Sequence, residues 1–307
     1  MPDDAPSRSP HSLEYFGEDR DYFWNDDYLD LLAARLNFAQ VRSVLDVGCG
    51  IGHWTRLVAK RLADGVSVTG IDRETAHITE FRRAMAPLAA RGITVAGIRA
   101  NAYALPVPTG TADLVTCQTL LLHLQDPSRA LAEMVRAARP GGLVLCVEPN
   151  NLVARLPVTC LMHGMEDDAV VRLAEFAFRH TIGRTRRGLG DECIGERLPG
   201  LFAAAGLGEI RVWLCDKAAA LFPPYDSREQ AAAFGASSRW RREGTGPFDM
   251  DEMRRNVLAG GGDADFFARA WSDHLRLDDM TAAAAENGTW HTAGGALLYV
   301  VAGRKPG

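Results

Sequence analysis

Val44-Leu45-Asp46-Val47-Gly48-Cys49-Gly50-Ile51-Gly52 is the stretch whose reading decides the fold. Apolar residues run up to an acid, and glycine then takes every second position. Residues 43–47 have the composition of a parallel strand buried on both faces. The glycines that follow let the chain turn tightly and bring bare backbone close to a ligand. Residues 53–61 continue with helical spacing, placing Trp54, Leu57, Val58 and Leu62 on one side. Strand, glycine loop and helix N-terminus form a cradle whose main-chain N–H groups and helix dipole favour an anionic or polar group.

A dinucleotide fingerprint, G-x-G-x-x-G, needs a third glycine at position 53, where this chain has His53. The chain reads G-x-G-x-G, with Asp46 two residues before the first glycine. This string resembles motif I of the class I S-adenosylmethionine-dependent methyltransferases. The resemblance implies S-adenosyl-L-methionine as cofactor. It also implies that the loop of Gly48, Cys49, Gly50 and Gly52 holds the methionine portion, whose ammonium Asp46 bonds directly or through water.

Three further stations follow in order. Residues 66–72 read as the next strand, ending in Asp72, a carboxylate placed to accept both ribose hydroxyls of an adenosine, with Arg73 beside it. The competing reading makes Asp72 a helix cap, because Arg73-Glu74-Thr75 opens a helical pattern. At Asn101-Ala102-Tyr103 the resembled family usually carries an acid that binds the adenine amino group. Asn101 can still accept from an exocyclic amine, Ala102 offers a backbone N–H and Tyr103 flanks the ring; Asn101 as a plain turn residue is equally open. Residues 112–127 resemble the family's next motif, a buried strand that places Gln118 at the junction of cofactor and acceptor. His123 follows as a candidate base, or as a histidine that pins a loop. Residues 138–150 match the helix-end turn and fifth strand, Pro140-Gly141-Gly142 being a turn signal. The ordered set covers residues 42–151.

Composition bounds the alternatives. The chain has 307 residues, 47% apolar, enough for a substantial core. A net charge of −5 without a clustered basic face argues against nucleic acid, and Arg184-Thr185-Arg186-Arg187 reads as a solvated basic loop. No apolar run approaches the ~18 residues of a membrane span. The first ten residues lack a signal-peptide core. The 6 cysteines form no C-x-x-C pair, which is reduced, cytoplasmic usage and neither a zinc site nor a disulfide framework.

The expected architecture is α/β: a Rossmann-like, seven-stranded, mostly parallel sheet with helices on both faces, plus an inserted helical cap between the last two strands. Residues 1–12 are expected to be a disordered tail. Residues 13–40 form an aromatic-rich N-terminal helical arm, in which Tyr22 and Trp24 either close over the cofactor as a lid or pack on the sheet. Residues 41–215 and 294–307 form the core, with an irregular substrate-side segment at 151–190. Residues 216–293 are the cap, with helices at 228–234, 249–258, 264–275 and 278–286.

Methyl transfer from a sulfonium needs the acceptor atom held about 3–3.5 Å from the methyl, in line with the departing sulfur, and water kept out. A base is needed only for an acceptor whose proton has a high pKa. Candidate bases are His123 and His163, and candidate substrate contacts are Tyr15, Glu148, Asn151 and His163. The expected function is methyl transfer to a small-molecule acceptor at oxygen, nitrogen or carbon, by a monomer or homodimer. A nucleotide-dependent oxidoreductase, a non-catalytic cofactor-binding module and a peptide methyltransferase are the alternatives. Preferential binding of a nicotinamide cofactor, binding without turnover, or an open groove would mark each of these.

Overall fold

The computed structural model describes residues 20, 22–156, 160–294 and 297–307. Seven strands form one sheet: β1 (Ser43–Val47), β2 (Ser67–Asp72), β3 (Thr94–Arg99), β4 (Ala112–Gln118), β5 (Ala138–Asn150), β6 (Gly208–Leu214) and β7 (Leu297–Arg304). Their spatial order is β3-β2-β1-β4-β5-β7-β6. The pairs among β1 to β5 are parallel, with Val44 opposite both Val68 and Leu114. β7 runs antiparallel between β5 and β6, the single reversed strand of the sheet. The central strands are mostly apolar, as burial on both faces favours, with Asp46, Thr116 and Glu148 as buried polar exceptions.

Helices α1 (Asp26–Leu36), α2 (His53–Ala59), α3 (Thr75–Met85) and α4 (Pro127–Ala137) accompany the first five strands. In α1, Tyr28, Leu29, Leu32, Ala33 and Leu36 recur at helical spacing and are buried. They join Val44, Leu145 and Val300 in one core on a face of the sheet. Trp24 belongs to that core, its ring 5.3 Å from that of Trp54. The arm is therefore packed on the sheet over its described part. The expected tail at 1–12, and Tyr15, lie outside the described residues.

Two stretches differ from expectation. The segment at 151–190 is largely helical: α5 (Asn151–Arg155) is followed by α6 (Asp167–Arg186). Ala169, Leu173, Phe176, Ala177 and His180 are buried at a period that marks a helix. The insertion carries α8 (Arg228–Glu243), α9 (Met250–Ala259) and α10 (Ala264–Glu286), after α7 (Ile194–Ala204) in the core. α10 is one helix where two were expected, because no glycine or proline interrupts residues 264–286. α8 runs past 234 until Gly244 closes it in the left-handed region at φ 59°.

α9 and α10 pack on α6 through Phe176, Met253, Val257, Phe267 and Ala270. Backbones come very close here: a Cβ on Gly183 would lie 1.7 Å from the Asn256 carbonyl oxygen, and one on Gly260 1.9 Å from that of Arg179. The insertion leaves and rejoins the sheet through paired chain, with Cys215 N–H donating to Leu298 O at 2.9 Å and Leu221 bridged to Thr292.

Candidate functional site

The strand order reverses between β1 and β4. Loops leaving two such strands part in opposite directions and open a crevice at their carboxyl ends. A cavity of about 210 Å³ lies there. Its lining brings together Asp46, Gly48, Cys49, Gly50, Asp72, Arg73, Asn101, Ala102, Tyr103, Gln118, His123 and Trp24 from the sequence reading.

The glycine turn begins where β1 ends. Gly48 and Cys49 both donate to Ile71 O, at 2.7 and 3.0 Å. Gly48 has φ 72°, and a Cβ on it would lie 2.7 Å from Leu120 Cδ1. Both the turn and the close approach of the next loop therefore require glycine. Gly52 lies outside the cavity lining. It sits at φ 93°, and a Cβ on it would lie 2.8 Å from Met85 Cε, so its glycine serves helix packing. Cys49 is walled in by Ile78, Phe81 and Met85, and burial pushes its thiol pKa up.

Asp46 is almost fully buried. Thr55 donates to its Oδ2, while Oδ1 is buried without a hydrogen-bond partner. Burial raises the carboxyl pKa to about 7, against the Thr55 bond that lowers it. A buried acceptor left without a donor is costly.

Asp72 ends β2 and is tied to three groups. Its Oδ2 accepts from Gly50 N–H at 3.0 Å, and its Oδ1 accepts from Glu74 N–H at 2.9 Å and faces His77 Nδ1 at 3.1 Å. Burial is the largest influence on its pKa and raises it; His77, the Glu74 N–H and the Gly50 N–H together outweigh it and hold the carboxyl below its usual value. The capping and ligand-facing readings thus coexist: Asp72 braces glycine turn and helix start while lining the cavity. Asn101 accepts from Tyr103 N–H at 3.0 Å through Oδ1, an Asx turn whose oxygen retains a second lone pair. The Tyr103 hydroxyl accepts from Asp126 N–H at 3.1 Å, and the Arg129 guanidinium lies 5.1 Å from its ring centre.

Beyond Gln118, Thr119 takes φ 50°, a region that β-branched residues rarely enter. Its N–H donates to Val147 O at 2.8 Å. Leu120, His123 and Leu124 follow on the cavity wall. Glu148, expected on the substrate side, is fully buried and absent from that wall. Its carboxylate accepts from the N–H groups of Leu120, Leu121 and Leu122 at 2.9, 2.7 and 3.2 Å. Burial raises its pKa to about 7, with those three bonds opposing.

Other expected residues lie elsewhere. His163 is exposed in a short 3₁₀ turn (Met162–Gly164), Asn151 opens α5, and neither they nor Tyr22 line the cavity. No residue of 216–293 lines it either, so among the described residues the insertion is a helical layer on α6 and not a wall of this cavity. Sequence reasoning missed Arg20, Leu57, His77, Thr119, Leu120 and Leu124 as lining residues. His77 was findable, since it stands five residues after Asp72, one turn into the helix that Asp72 precedes. Among the described residues no His, Cys, Asp or Glu cluster suits a metal ion, and all six cysteines are free thiols. No helix among them is long and apolar enough to cross a membrane.

Comparisons agree with this geometry. A family model described as a methyltransferase domain matches residues 44–142, an interval that holds the glycine turn, Asp72, Asn101 and Gln118. Demethylmenaquinone methyltransferase of Shouchella clausii is 36% identical over 109 residues, 36% of this chain and 46% of that protein. An uncharacterized methyltransferase of Schizosaccharomyces pombe is 32% identical over 149 residues, 47% of this chain and 53% of that protein. The chain thus spans about half the length of these relatives. A solved structure of a candidate methyltransferase from Bacillus halodurans C-125 superposes with a TM-score of 0.52 over 92% of this chain and 99% of that one, at 15% identity, which supports the fold. With its Asp46-to-Gly52 turn, its single reversed strand and the match across residues 44–142, the chain carries a methyltransferase domain and is similar to S-adenosylmethionine-dependent methyltransferases of class I.

Proposed function

We propose that the protein binds S-adenosylmethionine in the β1–β4 crevice and methylates a small-molecule acceptor there. The observation that carries this is Asp46 Oδ1, a buried acceptor without a partner beside a glycine turn at the cavity. An ammonium group satisfies that oxygen and keeps the carboxylate charged. The rest of the lining fits the same ligand. Asp72 offers remaining lone pairs to ribose hydroxyls, and the Ala102 backbone and Tyr103 ring offer an adenine a donor and a flat wall.

When bound, S-adenosylmethionine supplies an electrophilic methyl group on a sulfonium. The chain's part is placement. Gly48 and Gly50 admit the ligand to main-chain contact, Asp46 and Asp72 fix two of its polar ends, and Trp24, Leu57, Leu120 and Leu124 exclude water. His123, on the same wall as Gln118, is the candidate to take a proton from an acceptor that must lose one. His163 has no such position. The Shouchella clausii relative's name motivates a quinone-like aromatic acceptor as the first class to try.

Calorimetric titration with S-adenosylmethionine and S-adenosylhomocysteine tests the reading, and heat-silent titrations of folded protein would refute it. Asp72→Ala is expected to weaken binding at least about tenfold, the worth of one charge-assisted hydrogen bond. Unaltered affinity would remove Asp72 from the site.

A further inference from the structure

The cavity wall formed by residues 119–124 lies between β4 and α4. It opens at Thr119 in the left-handed region, continues through a 3₁₀ turn (Leu121–His123), and is pressed by Leu120 against Gly48. Three consecutive amides at its centre point inward, away from strand partners. All three converge on one side chain, the fully buried Glu148 near the carboxyl end of β5, whose Oε1 takes Leu120 and Leu121 and whose Oε2 takes Leu122. Successive N–H groups turned to one point form an anion-binding concavity, and here the anion belongs to the chain itself. The Cys117 thiol, 3.7 Å from Oε1, completes the shell from β4.

We propose that Glu148 is a positioning residue: its carboxylate gathers the Leu120–Leu121–Leu122 amides and so sets the wall against which Gln118, Leu120 and His123 meet the bound ligands. The inference rests on the reading of the cavity as the ligand site, but its first consequence does not depend on any ligand. Without the carboxylate, three buried N–H groups lose their acceptor. The segment 119–124 then opens locally while the neighbouring strands keep their ladder.

The test combines amide hydrogen exchange with titration of S-adenosylhomocysteine on wild type, Glu148→Gln and Glu148→Ala. In the wild type, the amides of Leu120, Leu121 and Leu122 are expected to exchange as slowly as those of β4; fast exchange there would overturn the proposal without any variant. Glu148→Gln keeps one carbonyl oxygen and faces Leu122 N–H with a second donor. It should release Leu122 selectively, by about tenfold or more, with β1 and β4 protection unchanged. Glu148→Ala should release all three. Affinity for S-adenosylhomocysteine should fall in the same order, Gln less than Ala. A Gln variant with unchanged exchange and unchanged affinity would overturn the inference. If the wild type binds no S-adenosylhomocysteine, the cofactor reading fails, while the exchange measurement still decides the clamp.

Discussion

Asp46→Asn is expected to weaken S-adenosylhomocysteine binding by about 10- to 100-fold, the worth of a charged hydrogen bond in a site with little water. The same change should leave the melting temperature of the ligand-free protein level or higher at pH 8. The two effects diverge because Asp46 is an asset only when occupied. No protein group donates to its Oδ1, and burial raises its pKa from 3.8 to about 7. Folding therefore favours the protonated form. That contribution to stability is full below about pH 3.8 and is lost as pH rises through 7. Glu148, raised from 4.5 to about 7, acts with the same sign. Ligand affinity follows the opposite course, because an ammonium seeks the carboxylate. Below pH 7, wild-type affinity should fall by about tenfold per pH unit, and Asp46→Asn should flatten that dependence. Calorimetry from pH 6 to 8 on both proteins reads this directly. A pH-independent wild type with an unimpaired variant would exclude Asp46 as the ammonium partner.

Gly183→Ala is expected to be the most damaging of the small substitutions, costing about 3 kcal/mol or more and lowering the melting temperature by several degrees. Ordinary overpacking meets flexible side-chain ends. Here the added Cβ would meet backbone, 1.7 Å from Asn256 O and 2.9 Å from Gly260 N. α6 and α9 would have to separate, opening the contacts around Phe176, Met253 and Val257. The control is Gly235→Ala in α8, where a Cβ has open space. The identical chemical change should there stabilise by about 0.5–1 kcal/mol, because alanine loses less entropy in a helix. Thermal melts of both variants check the sign. S-adenosylhomocysteine affinity of Gly183→Ala should stay within about twofold where it folds, because no residue of α6 or α9 lines the cavity.

The cavity's glycine turn, its two acids and the strands that carry them were legible from local pattern, because buried parallel strands and glycine turns are written in neighbouring residues. Asp46 is next to last in β1 and Asp72 ends β2, and strand ends at a switch point converge by topology alone. Glu148 misled for the same reason. It too lies near a strand's carboxyl end, but whether its carboxylate turns to the ligand or to a loop depends on amides 26 to 28 positions away. His163 was chosen for following the fifth strand, but its 3₁₀ turn stands off the cavity. α6 was missed although its period was present, because Arg184-Thr185-Arg186-Arg187 read as a solvated basic loop, whereas they close the helix. Gly183 is there to meet α9, which no local window contains.

The reversed strand has a practical corollary. β6 and β7 pair directly, Leu214 lying opposite Tyr299, so the eighty-odd positions between them start and finish side by side. The sheet's alignment is set at that pair whatever the length of chain between, whereas α6 depends on the excursion: cut out, it would leave Phe176 without the cover of Met253, Val257 and Phe267.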